Sequence, residues 1–185
     1  MQNTLLTKED LRYMKSRTHG GTSLKKRRKV ARPLVPRATT HVVFKSAKAK
    51  GSLSLYRHKK TVDTLLKQLA RRYFIEILDY VNMGNHLHLK VRFKDASRFK
   101  NFMRAFCGQL PRKLTNAHRG TKFGRFWDGL AFTRVLMSKL EELGLKIYFE
   151  GNQREKDLGY SARVEYLRKW NQFLYKLKKV KAVSG

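Results

Sequence analysis

Residues 74–93 read Phe74-Ile75-Glu76-Ile77-Leu78-Asp79-Tyr80-Val81-Asn82-Met83-Gly84-Asn85-His86-Leu87-His88-Leu89-Lys90-Val91-Arg92-Phe93. Two β-rich runs flank Met83-Gly84-Asn85, and Asn with Gly suits a tight hairpin connection. The second run alternates cleanly in polarity, the period of a strand with two unlike faces. An antiparallel hairpin is expected here, and the rest of the fold is read outward from it.

Upstream, Thr40-His41-Val42-Val43-Phe44-Lys45 reads as another strand, and Gly51-Ser52 marks a loop. Within residues 56–72, Val62, Leu65, Leu66 and Leu69 recur at helical spacing. Downstream, Asp95 or Ser97 is placed to cap a helix carrying Phe99, Phe102, Met103 and Phe106 on one stripe. Pro111 is expected to kink or restart that helix. A loop rich in Lys and Arg spans Gly120 to Gly124, and Leu130-Ala131-Phe132-Thr133-Arg134-Val135-Leu136 reads as a fourth strand. Ser138 is placed to cap a helix through Leu140, Leu143, Ile147 and Tyr148, which Gly144 weakens. The order β-α-β-β-α-β followed by a helix predicts an α+β fold: a ferredoxin-like split βαβ with a four-stranded antiparallel sheet.

Three regions are expected. Residues 38–157 hold the compact pattern. Residues 1–37 form a basic N-terminal arm with Gly20-Gly21, the run Lys25-Lys26-Arg27-Arg28-Lys29, Pro33 and Pro36. Residues 158–185 form a basic C-terminal helix with Val164, Leu167, Phe173, Leu174 and Leu177.

The 185 residues include 43 Lys and Arg against 13 Asp and Glu, a net charge of +30. Such a shell repels itself unless a polyanion binds, and nucleic acid is the default partner, an anionic membrane surface the weaker one. No run approaches 18 consecutive apolar residues, so no membrane span is expected. The first residues lack an apolar signal core. Cys107 is the single cysteine, which excludes an intramolecular disulfide and a multi-cysteine zinc site. A cytoplasmic, nucleoid-associated protein fits these features.

Two pairs of residues carry chemistry. His86 and His88 are two apart in a strand, so both imidazoles face the same way and reach one metal ion. Tyr148 and Asn152 are four apart on a helix, one turn along one face. A tyrosine that attacks a phosphodiester needs a polarised phosphate, and an amide one turn away is placed to bind the polarising ion. Of the eight tyrosines, only Tyr148 has a potential ligand at i+4. The plainer readings are polar strand histidines, a core tyrosine and a helix C-cap asparagine. The loop before the fourth strand interleaves Arg119, Lys122 and Arg125 with Phe123 and Trp127, the mixture that holds phosphates and stacks bases of single strands. Trp127 as a core residue is the alternative. Lys25, Lys26, Arg27, Arg28 and Lys29 are read as contacts to duplex backbone.

Met83-Gly84-Asn85-His86-Leu87-His88-Leu89 resembles the M-P-N-H-x-H-L signature of HUH transposases. Tyr148-Phe149-x-x-Asn152 resembles the Y-I-x-x-N-P motif of the REP-associated tyrosine transposases and their insertion-sequence relatives. Phe126-Trp127 before Phe132-Thr133-Arg134-Val135-Leu136 is similar to their tryptophan-led strand. The resemblance covers about residues 38–155. It implies a divalent ion, Mg²⁺ or Mn²⁺, with His86, His88 and Asn152 as ligands. It also implies Tyr148 as the nucleophile that becomes linked to a DNA 5′ phosphate, leaving a free 3′ hydroxyl. Single-stranded or hairpin DNA is the implied partner, bound by a monomer or homodimer. Gly84 stands where the family has proline, which is expected to loosen the turn. Gln153 stands at the second proline, and Gly151 weakens the helix between nucleophile and ligand. Two other classes explain the charge: a non-catalytic, decayed or domesticated nucleic-acid-binding protein, and a replication-initiation or relaxase nuclease of the wider HUH group.

Overall fold

A computed structural model describes residues 17–21, 31–117 and 124–183, with side chains described up to residue 172. The chain divides into two compact units between Met137 and Ser138.

In the first unit five strands, β1 (Thr18–His19), β2 (Thr39–Lys45), β3 (Ile75–Asn82), β4 (His86–Phe93) and β5 (Phe132–Leu136), form one sheet. The order is β1-β5-β2-β4-β3, and every neighbouring pair is antiparallel. The four longer strands follow the split βαβ order, as expected. Helices α1 (Lys59–Tyr73) and α2 (Ala96–Thr115) join them. Val62, Leu65, Leu66 and Leu69 of α1 are buried, as are Phe99, Phe102 and Phe106 of α2. They share one core with Val42, Phe44, Leu87, Leu89, Val91 and Phe93 from the strands. Full burial of each such side chain contributes about 1.5–3 kcal/mol. Thr39, His41, Val43 and Lys45 of β2 and His86, His88, Lys90 and Arg92 of β4 point to the opposite sheet face. β3 breaks its alternation at a register shift between Ile77 and Asp79, which is why apolar Ile77 and Leu78 stand side by side there.

Asp95 caps α2, its carboxylate accepting from the N–H groups of Ser97 and Arg98. Pro111, expected to kink or restart this helix, lies inside it. The helical ladder would carry an N–H from position 111 to the carbonyl of Cys107, and proline has none. The indole N–H of Trp127 donates to that carbonyl instead, at 2.9 Å. The two residues should therefore be coupled. Trp127→Phe should cost about 1–3 kcal/mol by orphaning the carbonyl, beyond any packing loss. In a Pro111→Ala background the new backbone N–H competes for that carbonyl, and the cost should shrink. Urea unfolding of the four chains of a double-mutant cycle measures this, and strict additivity would refute it.

The arm departs from its expectation. Thr18 and His19 pair with Arg134 and Thr133, because the outer edge of β5 offers unpaired N–H and C=O groups to any nearby strand. Gly20, at φ +81, approaches so closely that a Cβ would lie 2.2 Å from the carbonyl oxygen of Ala131. Arg32 donates to that same oxygen at 2.9 Å and to the Thr133 hydroxyl at 2.7 Å. The sheet thus has five strands rather than four. Lys25 to Lys29 lie outside the described residues.

The second unit holds α3 (Lys139–Leu158) and α4 (Tyr160–Val183). Ser138 caps α3 by accepting from Glu141 N–H, and Gly144 does not interrupt it. Gly159, at φ 92, separates the helices. Among the described residues no helix is long and apolar enough to cross a membrane.

Candidate active site

The β3–β4 turn places the first pair of functional side chains. Met83 N–H bonds to the His86 carbonyl at 2.9 Å, leaving Gly84 and Asn85 as the two turn residues. Gly84 adopts φ 85, a conformation that proline's ring forbids. The expected loosening does not occur. Asn82 Oδ1 accepts from Gly84 N–H at 3.0 Å, and Asn82 Nδ2 donates to the Leu55 carbonyl at 2.8 Å. Leu55 N–H bonds to the Gly84 carbonyl and Ser46 N–H to the Asn85 carbonyl. The glycine changes the turn's geometry while its neighbours pin it.

His86 and His88 share one face of β4, their ring centroids 4.8 Å apart. Asn85 Oδ1 lies 2.5 Å from His86 Nδ1. His41, on β2, stands diagonally across from His88 on the same face, since it pairs with Lys90. Its Nε2 lies 3.1 Å from His88 Nδ1. Burial, with Arg134 beside it, pushes the His41 imidazole down to about 4, so the ring is neutral near pH 7. Strand register adds Lys45, Lys90 and Arg134 to this face. The result is a cluster of three imidazoles with Lys45, Lys90 and Arg134 around it and Asp79 of β3 opposite Lys90. The part played by His41 was not read from the sequence, because it follows only from the register of β2 with β4.

The second pair lies on α3. Tyr148 is half-buried and Asn152 is buried at 1% exposure. The helical spacing puts them one turn apart, as the sequence predicts. Arg163 of α4 places its guanidinium 5.3 Å from the centre of the Tyr148 ring and pairs with Glu155 at 2.6 Å. Burial works against its charge, but Glu155 and Tyr148 hold the guanidinium above its ordinary pKa. The contact falls outside both motifs. Gly151 has a structural reason: a Cβ there would lie 3.1 Å from Leu167 Cδ2, so the glycine lets α4 pack closely. Gln153 keeps the backbone N–H that proline would remove, and α3 continues to Leu158.

Both histidines have Nδ1 engaged, which directs Nε2 toward coordination. The buried amide nitrogen of Asn152 has no hydrogen-bond partner, and an amide flip would present its oxygen there as a ligand. These features fit a divalent ion. Among the described residues no three His, Cys, Asp or Glu side chains form a metal-holding group.

Of the loop residues, Arg119, Lys122 and Phe123 lie outside the described residues. Arg125 is exposed. Trp127 packs beside Phe44, Phe106 and Phe126, at centroid distances of 5.6, 6.2 and 5.0 Å. Its contacts are those of the core alternative. With Arg125, Pro111 and Leu130 it lines a surface cleft.

The chain resembles a solved REP-associated tyrosine transposase bound to a REP hairpin. The TM-score is 0.54 and the identity 12%, over 71% of this chain and 75% of that one. A second likeness is to a Deinococcus radiodurans R1 protein described as a transposase, with a TM-score of 0.42 and 16% identity, over 68% of this chain and 98% of that one. No curated protein sequence matches. Residues 34–139, more than half of the chain, match the IS200-like transposases, and the chain belongs to that family.

Proposed function

We propose that this chain cuts and rejoins single-stranded or hairpin DNA through a covalent tyrosine intermediate, with residues 38–157 as its catalytic part. The observation that carries this reading is the pair His86 and His88 on one face of β4, each with Nδ1 engaged, in a chain of this transposase family. Tyr148 supplies the nucleophile. Its phenolic oxygen attacks phosphorus, the new O–P bond forming as the P–O3′ bond breaks. The phenol proton passes, directly or through solvent, to the leaving oxygen. The products are a 5′-phosphotyrosine and a 3′ hydroxyl. One phosphodiester has been exchanged for another, so a 3′ hydroxyl can later attack the phosphotyrosine and rejoin a strand without external energy.

Arg163 sits by the Tyr148 ring, which places a positive charge close to the proposed nucleophile. His86, His88 and Asn152 would hold Mg²⁺ or Mn²⁺, which when bound polarises the scissile phosphate. Lys45, Lys90 and Arg134 draw the phosphate to the histidine face. Tyr148 and Asn152 serve that phosphate from the same chain or from a second copy. Lys25 to Lys29, Arg119, Lys122 and Arg125 neutralise the DNA backbone, with Phe123 and the exposed part of Trp127 available to bases. The solved relative's hairpin supports hairpin DNA as the substrate class.

The test is incubation with labelled hairpin-bearing single-stranded DNA and Mn²⁺, followed by denaturing electrophoresis. A covalent, protease-sensitive band is expected. DNA binding without such a band on any hairpin would favour the non-catalytic reading. Binding itself should weaken steeply with salt, with a log–log slope of about −0.7 for each phosphate contacted on a single strand. Deleting residues 1–37 would also remove β1 and Arg32, so the arm is tested by Gln substitutions at Lys25, Lys26, Arg27, Arg28 and Lys29. The slope should become shallower by about 0.7 for each cation that touches phosphate. An unchanged slope would take the run out of the interface.

A further inference from the structure

His41 and His88 are 47 residues apart in sequence and meet across two strands, at 3.1 Å between Nε2 and Nδ1. The ring centroids are 5.3 Å apart and the planes 20° from parallel, the edge-to-edge arrangement that an in-plane N–H···N bond requires. Phe132 meets His41 edge-on from β5, at 6.1 Å. The His41 imidazole is thus met by His88 along its edge and flanked by Phe132. At 9% and 4% exposure, neither histidine can readily replace this bond with one to bulk water, so breaking it carries the cost of a buried polar group.

We propose that His41 is a positioning residue for His88, its Nε2 accepting the Nδ1–H of His88 and thereby holding the tautomer that coordinates through Nε2. The inference rests on the metal-ligand role proposed above for His88. A neutral imidazole that coordinates through Nε2 must carry its proton on Nδ1, and that proton points at His41. The same logic holds at His86. An amide oxygen only accepts, so the Asn85 contact makes His86 Nδ1 the donor and Nε2 the ligand. Both histidines are therefore oriented alike, one by its sequence neighbour and the other by a residue on another strand. A partner of this kind fixes ring orientation and raises ligand basicity, and its loss typically lowers metal affinity 10–100-fold.

Two measurements on the full chain test this. In the metal-free wild type, long-range ¹⁵N–¹H NMR of the imidazoles should show His88 as the Nδ1–H tautomer. An Nε2–H tautomer would overturn the proposal without any variant having to fold. In Mn²⁺ titrations followed by the EPR signal of free ion, His41→Phe keeps an aromatic ring at this position but removes the acceptor, and should weaken binding about 10–100-fold. His41→Gln keeps a side-chain acceptor and should recover most of that loss. Unchanged affinity in His41→Phe overturns the positioning role. So does a complete loss equal to that of His88→Ala with no recovery by Gln, which would make His41 a direct ligand. If His88→Ala binds Mn²⁺ as wild type does, the metal reading itself has failed and this inference with it. That failure shows in the His88 arm, with His41 untouched.

Discussion

Replacing Tyr148 with phenylalanine should leave a folded, DNA-binding protein that forms no covalent adduct and releases no 3′ hydroxyl. The substitution removes one oxygen, the atom assigned to attack phosphorus. The aromatic ring remains for Arg163 to lie against, and the bond lost is the one Arg163 makes to the phenolic oxygen, while its pair with Glu155 stays. No other tyrosine has a potential ligand one turn later. Tyr166 donates its hydroxyl to Glu150, which commits that oxygen elsewhere. Tyr160 is 69% exposed. The loss should be complete rather than partial, because phenylalanine offers no nucleophile at all. Denaturing electrophoresis with a labelled hairpin reads the adduct, and a filter-binding curve checks affinity. A Tyr148→Phe chain that still becomes linked to DNA would move the nucleophile to Tyr160 or Tyr166.

The second large effect is expected from His86→Ala combined with His88→Ala. Charge stabilisation by a bound divalent ion is worth several kcal/mol in the transition state, so cleavage should fall about 10³-fold or more. DNA affinity should stay within a few fold, because binding rests on the 43 Lys and Arg behind the net charge of +30, which the double substitution leaves in place. His88 is buried, so circular dichroism and a thermal melt must accompany the double variant. His86→Ala alone, at a half-buried position, is the milder control. Cleavage that persists in the double variant, or in wild type with excess chelator, would remove the metal from the mechanism.

Much of this architecture was legible because it is written locally. The 74–93 hairpin follows from alternation and a Gly-Asn turn. Asp95 and Ser138 announce their helices by capping chemistry, and His86 and His88 share a face by a period of two. What escaped depends on contacts between residues far apart in sequence. A two-residue strand such as Thr18–His19 has no period to detect, and it exists because β5 leaves an edge open. Trp127 reaches Cys107 from 20 residues away, so a helix that proline should disturb runs on. The pairing of His41 with His88 needs the register of β2 against β4. The bonds that tie the Gly84 turn also escaped, because Asn82, Leu55 and Ser46 lie outside the family motif.

The contacts that residues 17–21 and 31–32 make with β5 change what that strand offers to other molecules. Gly21 N–H bonds to the Leu130 carbonyl, Thr18 and His19 pair with Arg134 and Thr133, and Arg32 bonds to Ala131 and Thr133. N–H and C=O groups along this side of β5 that could otherwise pair with a strand of a second molecule are thereby engaged within the chain. The chain's own N-terminal residues thus guard this side of the sheet against edge-to-edge association.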